Sequence, residues 1–312
     1  MKISFRWHGT EDKVTLEQIR QIPGMEAIVT AVYDAPVGAV WSNRSIFRLR
    51  KQVEDAGLAF DVIESIPVHE DIKLGKATRD RYIENYCENI RRVAAAGIKC
   101  ICYNFTPVLD WIRTQTDPVP TDASASIACC QSQADQASPP EMLPGWESGC
   151  TGEELKLLVA EYQSIKKKDL WDNLKYFLEH VIPVAAACEV NMAIYQGSSC
   201  RSSLGLPRII DSQADLDRFL KLVDDPHNGL TFCDDLLEGA SENDMVKMAA
   251  QYAAMGRIHF ACLCSEKVRE NGFEEPAGIS GFGSSDMPAI VKVLQDNGFH
   301  GYVNFTVAGK GT

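Results

Sequence analysis

Residues 67–75, PVHEDIKLG, gather His69, Glu70, Asp71 and Lys73 into one short stretch. An ammonium facing a carboxylate and an imidazole near a hydroxyl would together hold a polyhydroxylated anion. The plain alternative is a solvated charged loop, because surface loops are normally charged. A second stretch, GLTFC, ends an apolar run in Cys233, which reads as a metal ligand, a nucleophile or a small core residue. Two further groups stand at the ends of apolar runs: Arg6 with Trp7 in ISFRW, and Asn104 in CYNF. A guanidinium pairs with a carboxylate and a carboxamide bonds a hydroxyl. Against these stand a tryptophan packed beside an arginine ion pair, and an asparagine that caps a strand end.

Such groups need a scaffold, and the pattern along the chain supplies one. Short β-branched or aromatic runs predict strands at residues 3–7, 27–32, 60–65, 99–105, 191–195, 230–233, 257–264 and 302–307. Amphipathic segments between them predict helices at 15–21, 42–56, 78–96, 153–188 in at least two pieces, 212–223, 241–254 and 286–297. Ser241 and Asp286 stand where helix starts need an acceptor, and Gly57, Gly97 and Gly298 where helices should stop. Helix, glycine, strand recurs in EDAGLAFDV, AAAGIKCICY and QDNGFHGYV. Eight such β/α units imply an α/β fold, a closed (β/α)8 TIM barrel in one domain over residues 1–312, with its chemistry at the carboxyl ends of the strands. Two irregularities are expected. Residues 106–150, rich in Pro, Ser, Ala and Asp, form a long insertion or lid after the fourth strand. Five residues follow the eighth strand candidate, so the last outer helix is missing and a neighbouring subunit of a homo-oligomer would cover the flank.

Composition narrows the partners. The 312 residues carry a formal net charge of -12, and the one basic run is Lys166–Lys168, so a nucleic-acid partner is excluded. No stretch approaches the ~20 apolar residues of a membrane span, and MKISFRWHG lacks a signal-peptide core, which points to a cytoplasmic protein. Eleven cysteines without a C-x-x-C pair read as reduced thiols rather than a disulfide framework or zinc ribbon.

In order along the chain, FRWHG, QIPGMEAIVTAVYDAPVG, IPVHEDIKLG, RDRYIENYCENIRRVAAAGIK, CYNFTPVLDWIRT, IPVAAACEVNMAI, GLPRII, GLTFC and GRIHF resemble the D-mannonate dehydratases, a family of xylose-isomerase-like TIM barrels. The resemblance implies a lyase of hexuronate catabolism that binds a small sugar acid. It would remove water from D-mannonate to give 2-keto-3-deoxy-D-gluconate with the aid of Mn2+ or Fe2+. Arg6, Trp7, His69, Lys73 and Asn104 are then the expected substrate-binding residues, and Cys233 matches the family's cysteine ligand. The other ligand positions are substituted: Tyr195 and Cys262 stand at histidines and Thr306 at an aspartate, while Tyr33 replaces a further histidine. A metal-deficient paralogue that keeps the barrel and sugar-acid binding, and an isomerase or epimerase of the wider group, are the alternatives.

Overall fold

Every strand candidate becomes a strand, and the eight close on one another. The computed structural model describes residues 1–10, 12–107, 127–130, 152–195, 206–233, 244–264, 267–269, 272–275 and 286–306. The barrel strands are β1 (Lys2–Arg6), β2 (Met25–Thr30), β3 (Ala59–Glu64), β4 (Cys100–Tyr103), β5 (Asn191–Tyr195), β6 (Asn228–Cys233), β7 (Ile258–Cys264) and β8 (Tyr302–Thr306). Each pairs in parallel with its neighbours in sequence, and β8 returns to β1 to close the ring.

Helices join successive strands, as parallel pairing requires. They are α1 (Leu16–Arg20), α2 (Asn43–Asp55), α3 (Glu70–Lys73), α4 (Arg79–Ala95), α5 (Gly152–Ser164), α6 (Lys167–Ala187), α7 (Gln213–Leu222), α8 (Met245–Ala254) and α9 (Met287–Asp296). Their starts are set locally. Ser42 accepts from the Ser45 amide at 3.0 Å, Ser212 from Asp215 at 3.2 Å and Asp286 from Ala289 at 3.1 Å. For α8 the cap is Asp244 rather than the expected Ser241, which lies outside the described residues. Gly57, Gly97 and Gly298 do follow helices, with φ of +74°, +87° and +80°.

Alternation along the strands sorts side chains into two cores. Inside the ring lie Ala27, Val29, Val62, Cys100, Cys102, Ala193, Cys233, Phe260, Cys262 and Tyr302, so thiols fill much of the interior as small apolar groups. Cys87, Cys100, Cys102, Cys188, Cys233 and Cys262 are free thiols. Between ring and helices lies the larger core, where one face of α6, Leu170, Leu174, Phe177, Leu178 and Val181, packs inward. The Phe177 ring meets Tyr86 of α4 edge-on at 5.0 Å and Tyr103 of β4 at 5.8 Å.

Within residues 106–150, Ile127–Cys130 forms a strand antiparallel to Gly272–Glu275, which pairs in turn with Lys267–Arg269. The remainder of that expected insertion, 108–126 and 131–150, lies outside the described residues, as do 307–312 after β8. No helix among the described residues is long and apolar enough to cross a membrane.

Candidate active site

The carboxyl ends of β1, β3 and β5 each turn one polar side chain into the barrel mouth. Ser4 and Ala193 face inward, so the residues two further on, Arg6 and Tyr195, do so as well; Val62 places Glu64 in the same way. Arg6 Nη1 lies 3.5 Å from Glu64 Oε1, and the Tyr195 hydroxyl donates to that same oxygen at 2.7 Å. The Glu64 side chain is 4% exposed, whereas Arg6 keeps 45% of its side-chain surface open at the mouth. Glu64 Oε2 is buried and has no hydrogen-bond partner.

The electrostatics follow from that burial. Loss of water pushes the Glu64 carboxyl above its ordinary range; Arg6 opposes the shift, Cys262 adds to it, and the Tyr195 hydroxyl opposes it. The Glu64 carboxylate holds the Arg6 guanidinium firmly in its charged form. Burial, with Glu64 adding to it, raises the Tyr195 phenol well above its usual value, so it remains a donor. Tyr33 and His8 stand beside Arg6. Burial lowers the His8 imidazole, with Arg6 as the next cause, and raises the Tyr33 phenol while Arg6 pulls it down. Among the described residues, the mouth therefore offers the accessible Arg6 cation, the neutral phenols of Tyr195 and Tyr33 and a carboxyl oxygen of Glu64 awaiting a donor.

The residues at the expected metal positions are close in register but poor in chemistry. Cys233 of β6 pairs with Cys262 of β7, and Asn304 of β8 is level with Cys262. Both thiols are buried, at 1% and 6% exposure, within the interior cluster that Tyr195 also packs against. Thr306 pairs through its backbone with Cys264; the side chains of both lie outside the described residues. Mn2+ and Fe2+ favour carboxylate and imidazole donors. Among the described side chains, the ends of β5 to β7 present a protonated phenol and two thiols, and the neighbouring Glu64 carboxylate is bound to Arg6. No three His, Cys, Asp or Glu side chains among the described residues are grouped to hold an ion. The described donor set does not fit the implied metal.

Other expected site residues are engaged elsewhere. PVHEDIKLG is not a solvated loop: Glu70–Lys73 is the short helix α3, and His69 caps it by accepting from the Asp71 amide at 3.1 Å. The His69 ring stacks on Tyr82 with centroids 3.6 Å apart. The Lys73 ammonium is buried, donating to Glu70 at 2.8 Å and to the Thr106 carbonyl at 2.7 Å. Glu70 also accepts from the Tyr162 hydroxyl of α5. Trp7, 5% exposed, points away from Arg6 into the outer core, and its carbonyl faces the Tyr33 hydroxyl at 3.5 Å. Asn104 follows β4 directly and is partly buried. Of the expected set, Arg6 and Tyr195 meet, and they do so at Glu64, which the alternation Val62, Glu64 places at the inward-facing end of β3.

A closed parallel β/α barrel with an arginine, a phenol and a buried carboxyl at its carboxyl-terminal mouth defines a TIM-barrel protein suited to polyhydroxylated anions. The family model for D-mannonate dehydratase (UxuA) matches residues 1–308, and the chain belongs to that family. It is 46% identical to the mannonate dehydratase of Streptococcus suis (strain 05ZYH33) over 96% of this chain and 83% of the relative. Identity to mannonate dehydratase 2 of Halalkalibacterium halodurans is 43%, over 96% of this chain and 88% of the relative. The crystal structure of mannonate dehydratase from Streptococcus suis serotype 2 superposes with a TM-score of 0.91 at 43% identity, covering 98% of this chain and 85% of that one. A 3-keto-D-glucoside 4-epimerase from E. coli, 13% identical over 99% of this chain and 93% of its own length with a TM-score of 0.60, shares the fold.

Proposed function

We infer that this chain is a hydro-lyase of the mannonate dehydratase type, which takes D-mannonate to 2-keto-3-deoxy-D-gluconate and water. The likeness to mannonate dehydratases along nearly the whole chain carries the reading. The mouth suits its substrate class. The hydrogen next to a carboxylate is weakly acidic, so its removal requires positive charge near that carboxylate and a proton for the departing hydroxyl. Arg6 places its guanidinium at the mouth, where it can face that carboxylate. A divalent ion and a role in hexuronate catabolism inside the cell belong to the same proposal through the family. The described donors do not fit Mn2+ or Fe2+.

The test is direct. Purified protein, incubated with D-mannonate alone and with Mn2+, Fe2+ or Zn2+ added, is followed for keto-deoxy acid, and bound metal is measured by elemental analysis. Product in at least one arm is expected; its absence in all four replaces the lyase by a sugar-acid-binding protein. Assembly as a homo-oligomer is proposed alongside, supported by Phe47 on α2 and Met255 at the end of α8, large apolar side chains 47% and 51% exposed. A monomeric mass by light scattering would exclude it.

A further inference from the structure

The barrel mouth contains a polar atom that the fold leaves without a partner. Glu64 Oε2 is buried on the inner side of the ring, while Oε1 takes both the Tyr195 hydroxyl and the Arg6 guanidinium. A buried acceptor with no donor is destabilising, so a site retains one where something else completes it. Its surroundings say what kind of group that is. Arg6 is charged and nearly half exposed, and a guanidinium has five donors in a planar fork, so it can keep Glu64 and still bind a second carboxylate. Arg6 Nη1 and Glu64 Oε1 are 3.5 Å apart, so a ligand whose carboxylate lies on the open side of Arg6 is a close neighbour of Glu64.

We propose that Glu64 is a specificity-determining substrate-binding residue: its Oε2 accepts a hydrogen bond from a hydroxyl of the sugar acid whose carboxylate pairs with Arg6. The inference deepens the sugar-acid reading above and rests on it. Two demands follow. The ligand must be an anion, because a neutral sugar leaves the outer donors of Arg6 unmet. It must also carry a hydroxyl close to the carboxylate, because an analogue without one leaves Oε2 orphaned, a loss that sites built around hydrogen bonds punish heavily. Tyr195 is the positioning residue, since its hydroxyl holds Oε1 and thereby aims Oε2.

Calorimetric titration without added metal reads binding apart from turnover. The ligands are D-mannonate, its 2-deoxy and 3-deoxy analogues and D-mannitol; the proteins are wild type, Glu64→Gln, Arg6→Gln and Tyr195→Phe. Wild type should bind D-mannonate at least 10-fold more tightly than D-mannitol, and Arg6→Gln should erase that preference. Glu64→Gln should lose at least 10-fold for D-mannonate and less than threefold for one of the deoxy analogues, so that side chain and hydroxyl are coupled rather than additive. Tyr195→Phe should weaken D-mannonate several-fold in the same pattern, which keeps the proposal testable if Glu64→Gln fails to fold. Equal losses for every ligand, unchanged affinity of the Glu64→Gln and Tyr195→Phe proteins, or no D-mannonate binding by wild type overturns it. Coupled binding by wild type without product formation would sink the lyase reading alone. Product formed by Glu64→Gln with an unchanged KM would sink this inference alone.

Discussion

Lys73 shows how a charged side chain can be spent on structure at the edge of a site. Its ammonium, 5% exposed, sits between Glu70 Oε1 and the Thr106 carbonyl, while Glu70 reaches Tyr162 of α5 through its other oxygen. The charge thus ties α3 to the segment after β4 and, through Glu70, to α5. Lys73→Met would leave Glu70 and the Thr106 carbonyl without that donor. Removing one partner of a buried pair typically costs 3–5 kcal/mol, and the partial exposure of Glu70 reduces this to about 2–3 kcal/mol. Urea denaturation should show that loss, with D-mannonate affinity kept within about twofold at a temperature where both proteins are folded. A 10-fold weaker affinity with unchanged stability would return Lys73 to the substrate. The contrast with Arg6 is one of accessibility: both are paired cations, but Arg6 keeps nearly half its surface open and Lys73 almost none.

At the scale of elements, the turn after β2 is locked onto α3 and α4 by Gly38. Its φ is +79°, and a Cβ there would come within 2.7 Å of both the His69 ring and the Tyr82 ring. Asn85 of α4 also donates to the Gly38 carbonyl at 2.9 Å, so the turn cannot move aside freely. Gly38→Ala therefore meets both a disfavoured backbone and an overpacked stack, and should lower stability by about 1–3 kcal/mol. A melting temperature within 1 °C of wild type, by the size relation of about 2–4 °C per kcal/mol, would contradict that packing. The same region shows what sequence pattern carries and what it omits. Alternating runs and glycine stops located all eight barrel strands, because those signals are local. In PVHEDIKLG charge composition suggested a loop, although a cap residue followed by Glu70 and Asp71 is also how a helix begins. The pairing of Glu64 was hidden for a different reason. Its partners lie 58 residues before it and 131 after it, and they meet because the ring closes β1, β3 and β5 around one interior.

Across the whole molecule the two ends of the barrel have separate tasks, chemistry at the carboxyl end and stability at the other. His259, near the amino end of β7, belongs to the second. Its Nε2 is buried without a partner, and a Cβ on Gly229 of the adjoining β6 would lie 2.3 Å from it, so β6 and β7 close tightly around the ring. Burial, with Arg257 and His227 adding positive charge, lowers the imidazole to about 4, while a hydrogen bond with the Pro226 backbone works weakly the other way. In the unfolded chain the same group titrates near 6.5. The unfolded state thus binds the proton first, so the stability from a neutral His259 is complete above pH ~6.5 and drains away as pH falls toward 4. Linkage puts the loss between pH 7 and pH 5 at about 2 kcal/mol. His259→Gln cannot titrate, and its unfolding free energy should fall by about that much less than the wild type's over the same interval. Denaturation curves at matched ionic strength would measure the difference, and parallel pH dependences for the two proteins would show that His259 is not held neutral. D-mannonate affinity at pH 7 should be the same for both, because the residue stands at the amino end of the barrel, away from the ligand site proposed at the mouth.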